Sequence, residues 1–252
     1  MSASSETATY VFCLVQSGRA PSLRGVPDSV PGAGAPRLIS VDRNIWAVVA
    51  DAPLERFSSE QLQNGFQDVE AISRHALAHA AVVEFFFRQA TVIPLRLFTL
   101  FSADDRVRAH LQSRGARLRK LFAELRGLEE WGVRVIAGQV EAQEARSLSS
   151  GRDYLVVKKR LNDWGVAPPR ATVKEANGAV KILARLASKV RKEHFPPPGR
   201  GRPFVTGASL LVQAKRRRQF EKAVARLTAA LARRGHRLEV SGPWPPYHFV
   251  AR

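Results

Sequence analysis

Cysteine is almost absent: Cys13 stands alone in 252 residues, so no intrachain disulfide can form. It lies inside the apolar run YVFCLV, where a thiol reads as a small buried hydrophobe rather than a nucleophile. Long apolar runs are missing as well. No stretch approaches the about 18–20 residues of a membrane-spanning helix. The opening MSASSETATY has no basic region followed by an apolar one, so no signal peptide is expected. Short enzyme motifs are missing: G-x-S-x-G, the phosphate-binding loop, the dinucleotide fingerprint and H-E-x-x-H. A soluble intracellular protein is the expectation, and the missing motifs give no sign of an enzyme. Acidic residues are scarce: Asp and Glu total 22 against 40 Lys and Arg, for a net charge of +18. That charge attracts anionic partners, whether nucleic acid, acidic lipid or acidic protein.

What is present is enough apolar material for a core, at 45% of the chain. The length suits one large domain or two small ones. Tyr10–Gln16 reads as a buried strand, 18–36 as a Gly/Pro-rich loop. Arg37–Val41 and Ile45–Asp51 read as strands joined by a turn at Asp42, Arg43 and Asn44. Ser58 with Gln61 forms a capping box, and Leu62, Phe66, Val69, Ala76, Ala80, Val83 and Phe87 follow on one helical face. Val92–Phe101 is expected to be one strand, with Pro94 near its start. A helix capped by Ser102 and Asp105 then carries Val107, Leu111, Leu118, Leu121, Phe122 and Leu125, ending at Gly127.

Trp131–Ala137 is the next strand, and Gly151–Asp163 a short helix broken by Pro168 and Pro169. Thr172 with Glu175 opens a helix expected to reach about Glu193, with Ala176, Val180, Leu183, Ala187 and Val190 inward. Phe195–Pro203 is loop and Phe204–Val212 strand. Phe220, Val224, Leu227 and Leu231 mark the last helix, ended by Gly235, before a strand at Arg237–Val240. Strands and helices alternate in two halves, so the fold class is α+β with two domains, residues 1–128 and 129–252.

Three features compete for a functional role. His75 and His79 are spaced to share one side of a helix and could ligate a metal, but Glu84 lies too far round to join them. RGRP at Arg200–Pro203 resembles a minor-groove arm, set against a solvated loop. KRRR at Lys215–Arg218 opens a helix against its dipole. With Lys158, Lys159, Arg160, Lys189, Arg191 and Lys192 it forms either an anion-binding patch or a solvated face.

The chain closes on SGPWPPYHFV, Ser241–Val250. Gly242 and Pro243 are expected to end the preceding strand, and Pro245 and Pro246 to hold Trp244 and Tyr247 on a stiff, non-helical rail. Such a rail is a strap laid across a core or an aromatic docking surface; large rings favour the strap, because they contribute most when buried. GPWPPYHF resembles the closing motif of the gas vesicle GvpL/GvpF family. YVFCLV, IWAVVAD, PLRLFTLF, SGRDYLVVKK and ASLLV followed by Phe220 resemble that family's earlier segments, from Tyr10 to Val250. PLRLFTLF departs from the pattern, which more often has glycine where Phe98–Thr99 stand here.

The resemblance implies a ferredoxin-like N-terminal α/β sandwich, a second α+β domain and an extended Pro/aromatic tail. It also implies a minor gas vesicle protein that binds the main shell protein and other accessory proteins during assembly. That places it at the gas vesicle and in the cytoplasm. It brings no catalytic, cofactor-binding or metal-binding residues and leaves the partner-binding surface unassigned. Neither a membrane nor a specific nucleic acid is among the implied partners. The alternative, from charge, KRRR and RGRP, is a basic nucleic-acid-binding protein.

Overall fold

The computed structural model describes residues 6–58, 68–137, 170–192 and 204–250. Contacts divide the chain into two units, Met1–Gly127 with Pro245–Arg252, and Leu128–Trp244. The sequence reading assigned the whole C-terminal tail to the second half. In the structure, its last eight residues group with the first unit.

The first unit is built on β1 (Thr7–Gln16), buried from Ala8 to Val15. A strand covered on both faces reads as a continuous apolar run rather than an alternation, and TATYVFCLVQ does so. Its neighbours are β3 (Ile45–Pro53) on one side and β4 (Thr91–Pro94) with β5 (Leu100–Phe101) on the other. β2 (Arg37–Asp42) pairs with β3, giving the antiparallel order β2-β3-β1-β4. The hairpin turn forms where expected, with Asp42 accepting from the Arg43 amide at 2.8 Å.

A short α1 (Leu54–Phe57) follows β3. The long α2 is Val69–Phe87, capped by Asp68, whose side chain accepts from the Glu70 and Ala71 amides. Ser58 instead closes α1, so it is not the cap of the long helix. Residues 59–67, including Gln61, Leu62 and Phe66, lie outside the described residues. α2 buries His79, Val82, Val83 and Phe86.

The expected strand Val92–Phe101 is two strands in the structure. Pro94 ends β4 instead of starting it, and the chain turns through residues 95–99 with Phe98 at φ 60°. The expected single helix after Ser102 is also divided, into α3 (Asp104–Gln112) and α4 (Gly115–Leu125). The break falls at Ser113 and Arg114, beside a glycine with little helix preference. Arg37 ties the entry of α3 to the sheet, reaching Asp104 at 2.7 Å and Asp51 at 2.5 Å. Thr9 donates to Asp104 as well, and with the guanidinium it holds that carboxyl below its usual range.

In the second unit β6 (Leu128–Ile136) is central. α5 (Arg170–Ala184), β7 (Ala187–Lys192), β8 (Phe204–Gln213), α6 (Arg217–Ala232) and β9 (Arg237–Trp244) follow. The sheet order is β7-β8-β6-β9, again with the first strand flanked by the third and fourth. Trp131, Val133, Leu183, Leu210, Phe220 and Leu231 lie in its core.

Two expectations fail here. The helix opened near Thr172 ends at Ala184, and Ala187 and Val190 lie on strand β7, paired with β8. Spacing could not separate these outcomes, because no breaker stands between the two segments and the sheet partner decides. Also, Gly242 and Pro243 do not end the last strand: β9 continues to Trp244, opposite Glu130. A proline fits there because β9 is an edge strand. The Gly242–Pro243 peptide is cis.

Candidate functional site

His79 is 4% exposed and both ring nitrogens are engaged. Its Nε2 lies 3.2 Å from the Leu95 carbonyl, which only accepts, so Nε2 carries the proton. Nδ1 therefore accepts from the Tyr10 hydroxyl at 2.8 Å. That hydroxyl in turn accepts from the Phe98 amide at 3.3 Å. Burial pushes the His79 pKa down to about 4, and the Tyr10 hydroxyl well above its usual value. His75 donates through Nδ1 to the Ala71 carbonyl at 2.8 Å within its own helix. The two histidines are thus a helix-to-turn tether and a local bond. Among the described residues no group of three His, Cys, Asp or Glu could hold a metal.

What this tether holds is the turn 95–99, and the turn forms one wall of an open cavity of about 690 Å³. Ala76 and Ala80 of α2 line another wall. Tyr247 and Val250 complete the apolar lining, from the short helix α7 (Tyr247–Val250). Two exposed arginines, Arg96 and Arg114, contribute the charge. No ion pair engages either of them among the described residues. Sequence reasoning missed this site. Arg96 lay in PLRLFTLF, but nothing in the spacing joined it to Arg114 or to Tyr247. The one available signal was the missing glycine at Phe98–Thr99, where the backbone has positive φ.

The basic segments take several roles. In KRRR, Arg217 donates through Nε to Glu129 at 3.0 Å and through Nη2 to its other oxygen. Glu129 is buried, so Arg217 compensates a carboxylate inside the fold. Lys215, Arg216 and Arg218 are exposed. So are Lys189, Arg191 and Lys192 on edge strand β7, where charge discourages further strand pairing. Lys158, Lys159, Arg160 and Arg200–Pro203 lie outside the described residues, as does the Gly151–Asp163 segment.

The closing motif divides between the two units. Trp244 ends β9 and is 40% exposed. Pro245 and Pro246 are buried, and Tyr247 packs against the first unit's core. The rail expected to be non-helical turns into α7 at Tyr247. Core coverage therefore falls to Tyr247, not Trp244. Trp244→Ala is expected to lower stability by about 1 kcal/mol or less, and Tyr247→Ala by roughly 2–3 kcal/mol. Thermal melting of the two variants ranks them; a larger loss for Trp244→Ala would reverse this assignment.

Comparison with known proteins agrees with the motifs. The family model of the gas vesicle synthesis protein GvpL/GvpF matches residues 8–251. Gas vesicle protein L of Streptomyces sp. (strain CB03234) is 29% identical over 239 residues, spanning 89% of this chain and 87% of that protein. Gas vesicle protein F of the same strain is 27% identical over 262 residues, spanning 96% and 99%. The crystal structure of GvpF from Anabaena sp. PCC7120 superposes with a TM-score of 0.65 at 16% identity, covering 98% of this chain and 97% of that one. GvpF from Microcystis aeruginosa gives 0.65 at 13% identity, covering 97% and 99%. The structural likeness shows a shared α+β fold of antiparallel sheets and helices. With the family model matching from β1 to the last helix, the chain belongs to the GvpL/GvpF family of gas vesicle synthesis proteins.

Proposed function

We propose that this protein is a non-enzymatic accessory factor of gas vesicle assembly. It binds the main shell protein and other accessory proteins, in the cytoplasm and at the vesicle. The observation that carries this reading is the family match over residues 8–251. A partner destined for a gas-filled wall exposes apolar surface before it is added. A folded protein offering an open, partly apolar cavity is suited to cover some of it.

A ferredoxin-like N-terminal domain and a second α+β domain belong to the same reading. The second unit supports it with the order β-α-β-β-α-β among the described residues. In the first, the 17–36 connection stands where the first helix of that pattern would be. Among the described residues no helix is long and apolar enough to cross a membrane.

The nucleic-acid reading rests on the net charge of +18 and the exposed Lys215, Arg216 and Arg218. Salt separates the two. Contacts made only by charge weaken steeply as counterions compete, whereas apolar burial is not screened. At about 0.3 M salt, duplex DNA should be released while a complex with purified shell protein persists. Sequence-selective DNA binding at that salt, without a shell-protein complex, would replace the assembly reading with the alternative.

A further inference from the structure

The cavity of the first unit joins three features. Its walls are mostly apolar: Ala76, Ala80, Leu95, Leu97, Tyr247 and Val250. Its volume, about 690 Å³, is large enough for several side chains. Among the described residues its charged lining is Arg96 and Arg114, without a carboxylate. We propose that this cavity docks an apolar helix of the assembly partner, with one acidic side chain of that helix held between Arg96 and Arg114. The proposal rests on the reading that the protein binds an apolar partner in assembly, and it names the surface and the chemistry.

Charge complementarity selects the acid. Neither guanidinium has an ion-pair partner among the described residues, and both adjoin apolar walls. A carboxylate there gains charge-assisted, bidentate hydrogen bonds in surroundings less polar than water. A basic or neutral occupant would leave both cations without partners.

The length of the apolar surface selects a helix over a small amphipathic anion. Val69, Ile72, Ala76 and Ala80 recur along one side of α2 at three- and four-residue steps. This strip runs out of the cavity to the start of α2, where Val69 is 75% exposed. From Val69 to Ala80 it extends about 16 Å, or roughly three helical turns. A small anion would fill the cavity and leave the rest of the strip in water. A partner helix covers both, and the small side chains of Ala76 and Ala80 let its backbone come close.

The opposite wall is fixed in advance. Phe98 holds φ 60°, an uncommon conformation for a residue with a side chain. Its amide is tied to Tyr10, and through Tyr10 to His79 on α2. The turn carrying Arg96 is therefore anchored to the helix that faces it, which spares ordering cost on binding.

The test measures binding of purified shell protein to the full-length chain at about 0.3 M salt, where unspecific attraction to the basic surface is screened. Arg96→Gln combined with Arg114→Gln removes the charge. Ala76→Trp fills the cavity. Lys215→Gln combined with Arg216→Gln is the control, on the second unit. The arginine pair and Ala76→Trp should each weaken binding about tenfold or more, and the control by no more than about twofold. Arg96 and Arg114 are exposed, so their variant keeps its fold and decides the matter if Ala76→Trp does not fold. Tight binding by wild type and both cavity variants alike would overturn this site and leave the assembly reading standing. No binding by wild type would remove both. Dodecanoate that binds wild type, fails with the arginine variant and leaves shell-protein binding unaffected would show a small-anion site and overturn the docked helix.

Discussion

Replacing Gly242 with alanine should destabilise the second unit by roughly 3–5 kcal/mol, the upper range for a single substitution. Two costs combine. Gly242 has φ 123°, a region that residues with a side chain rarely adopt. A Cβ there would also stand 2.7 Å from the Glu130 carbonyl and 3.3 Å from Cα of Trp131. Both neighbours are backbone of the central strand β6, so neither can swing aside as a flexible side chain would. Relief requires the end of β9 to separate from β6 at the register shift between Glu130 and Gly132. Gly127→Ala is the natural comparison. It has φ 66°, but a Cβ there meets nothing within 4 Å. Its cost should stay near the 1–2 kcal/mol of left-handed backbone alone. Urea unfolding of both variants measures the difference. Equal midpoints would show that the close approach at Gly242 relaxes freely.

Acid should weaken the first unit through His79. Its folded pKa, near 4, is depressed by burial from an ordinary value of 6.5. Between those values the unfolded chain binds a proton that the folded chain refuses, so stability falls as pH falls. The contribution is complete above about pH 6.5, and roughly 3 kcal/mol is lost by pH 4, about half of it already at pH 5.5. Protonation also breaks the tether chemically. A charged imidazole has no lone pair on Nδ1 to accept from the Tyr10 hydroxyl, and that hydroxyl holds the Phe98 amide. His79→Gln cannot titrate, so it should lower stability at pH 7.5 yet flatten the decline between pH 6.5 and 4. Urea midpoints across that range test it. Parallel pH curves for wild type and variant would show that His79 does not carry the effect.

The legible parts of the fold were those set by local chemistry. β1 announced itself as a continuous apolar run, and a strand with both faces covered has no other pattern. The β2–β3 turn was visible in Asp42, Arg43 and Asn44, because such side chains bond their own backbone. Gly127 and Gly235 both have positive φ and follow helices, as their positions in the sequence indicated. The closing motif and the segments before it were enough to place the chain in its family.

Where two local signals competed, the sequence misled. Ser58 with Gln61 read as the cap of the long helix, although Asp68 makes the bonds. Ala187 and Val190 suited a helix as well as a strand, and only pairing with β8 settled it. Val92–Phe101 looked like one strand because of its β-branched and aromatic residues. The Tyr10 hydroxyl, 88 positions away, takes the Phe98 amide out of the ladder.

By itself the sequence determined the α+β class, the extended apolar core and the family, because composition, periodicity and short motifs are local quantities. It determined too that His79 would sit on a helix, but not that the ring would be buried and doubly bonded. Only the tertiary structure decided that Tyr247, not Trp244, covers the core. Only it placed Arg96 and Arg114 around one cavity with the face of α2. Those groupings join residues from distant parts of the chain. Their energy comes from burial and from long-range hydrogen bonds, which exist only once the sheet has closed and leave no spacing in the sequence to be read.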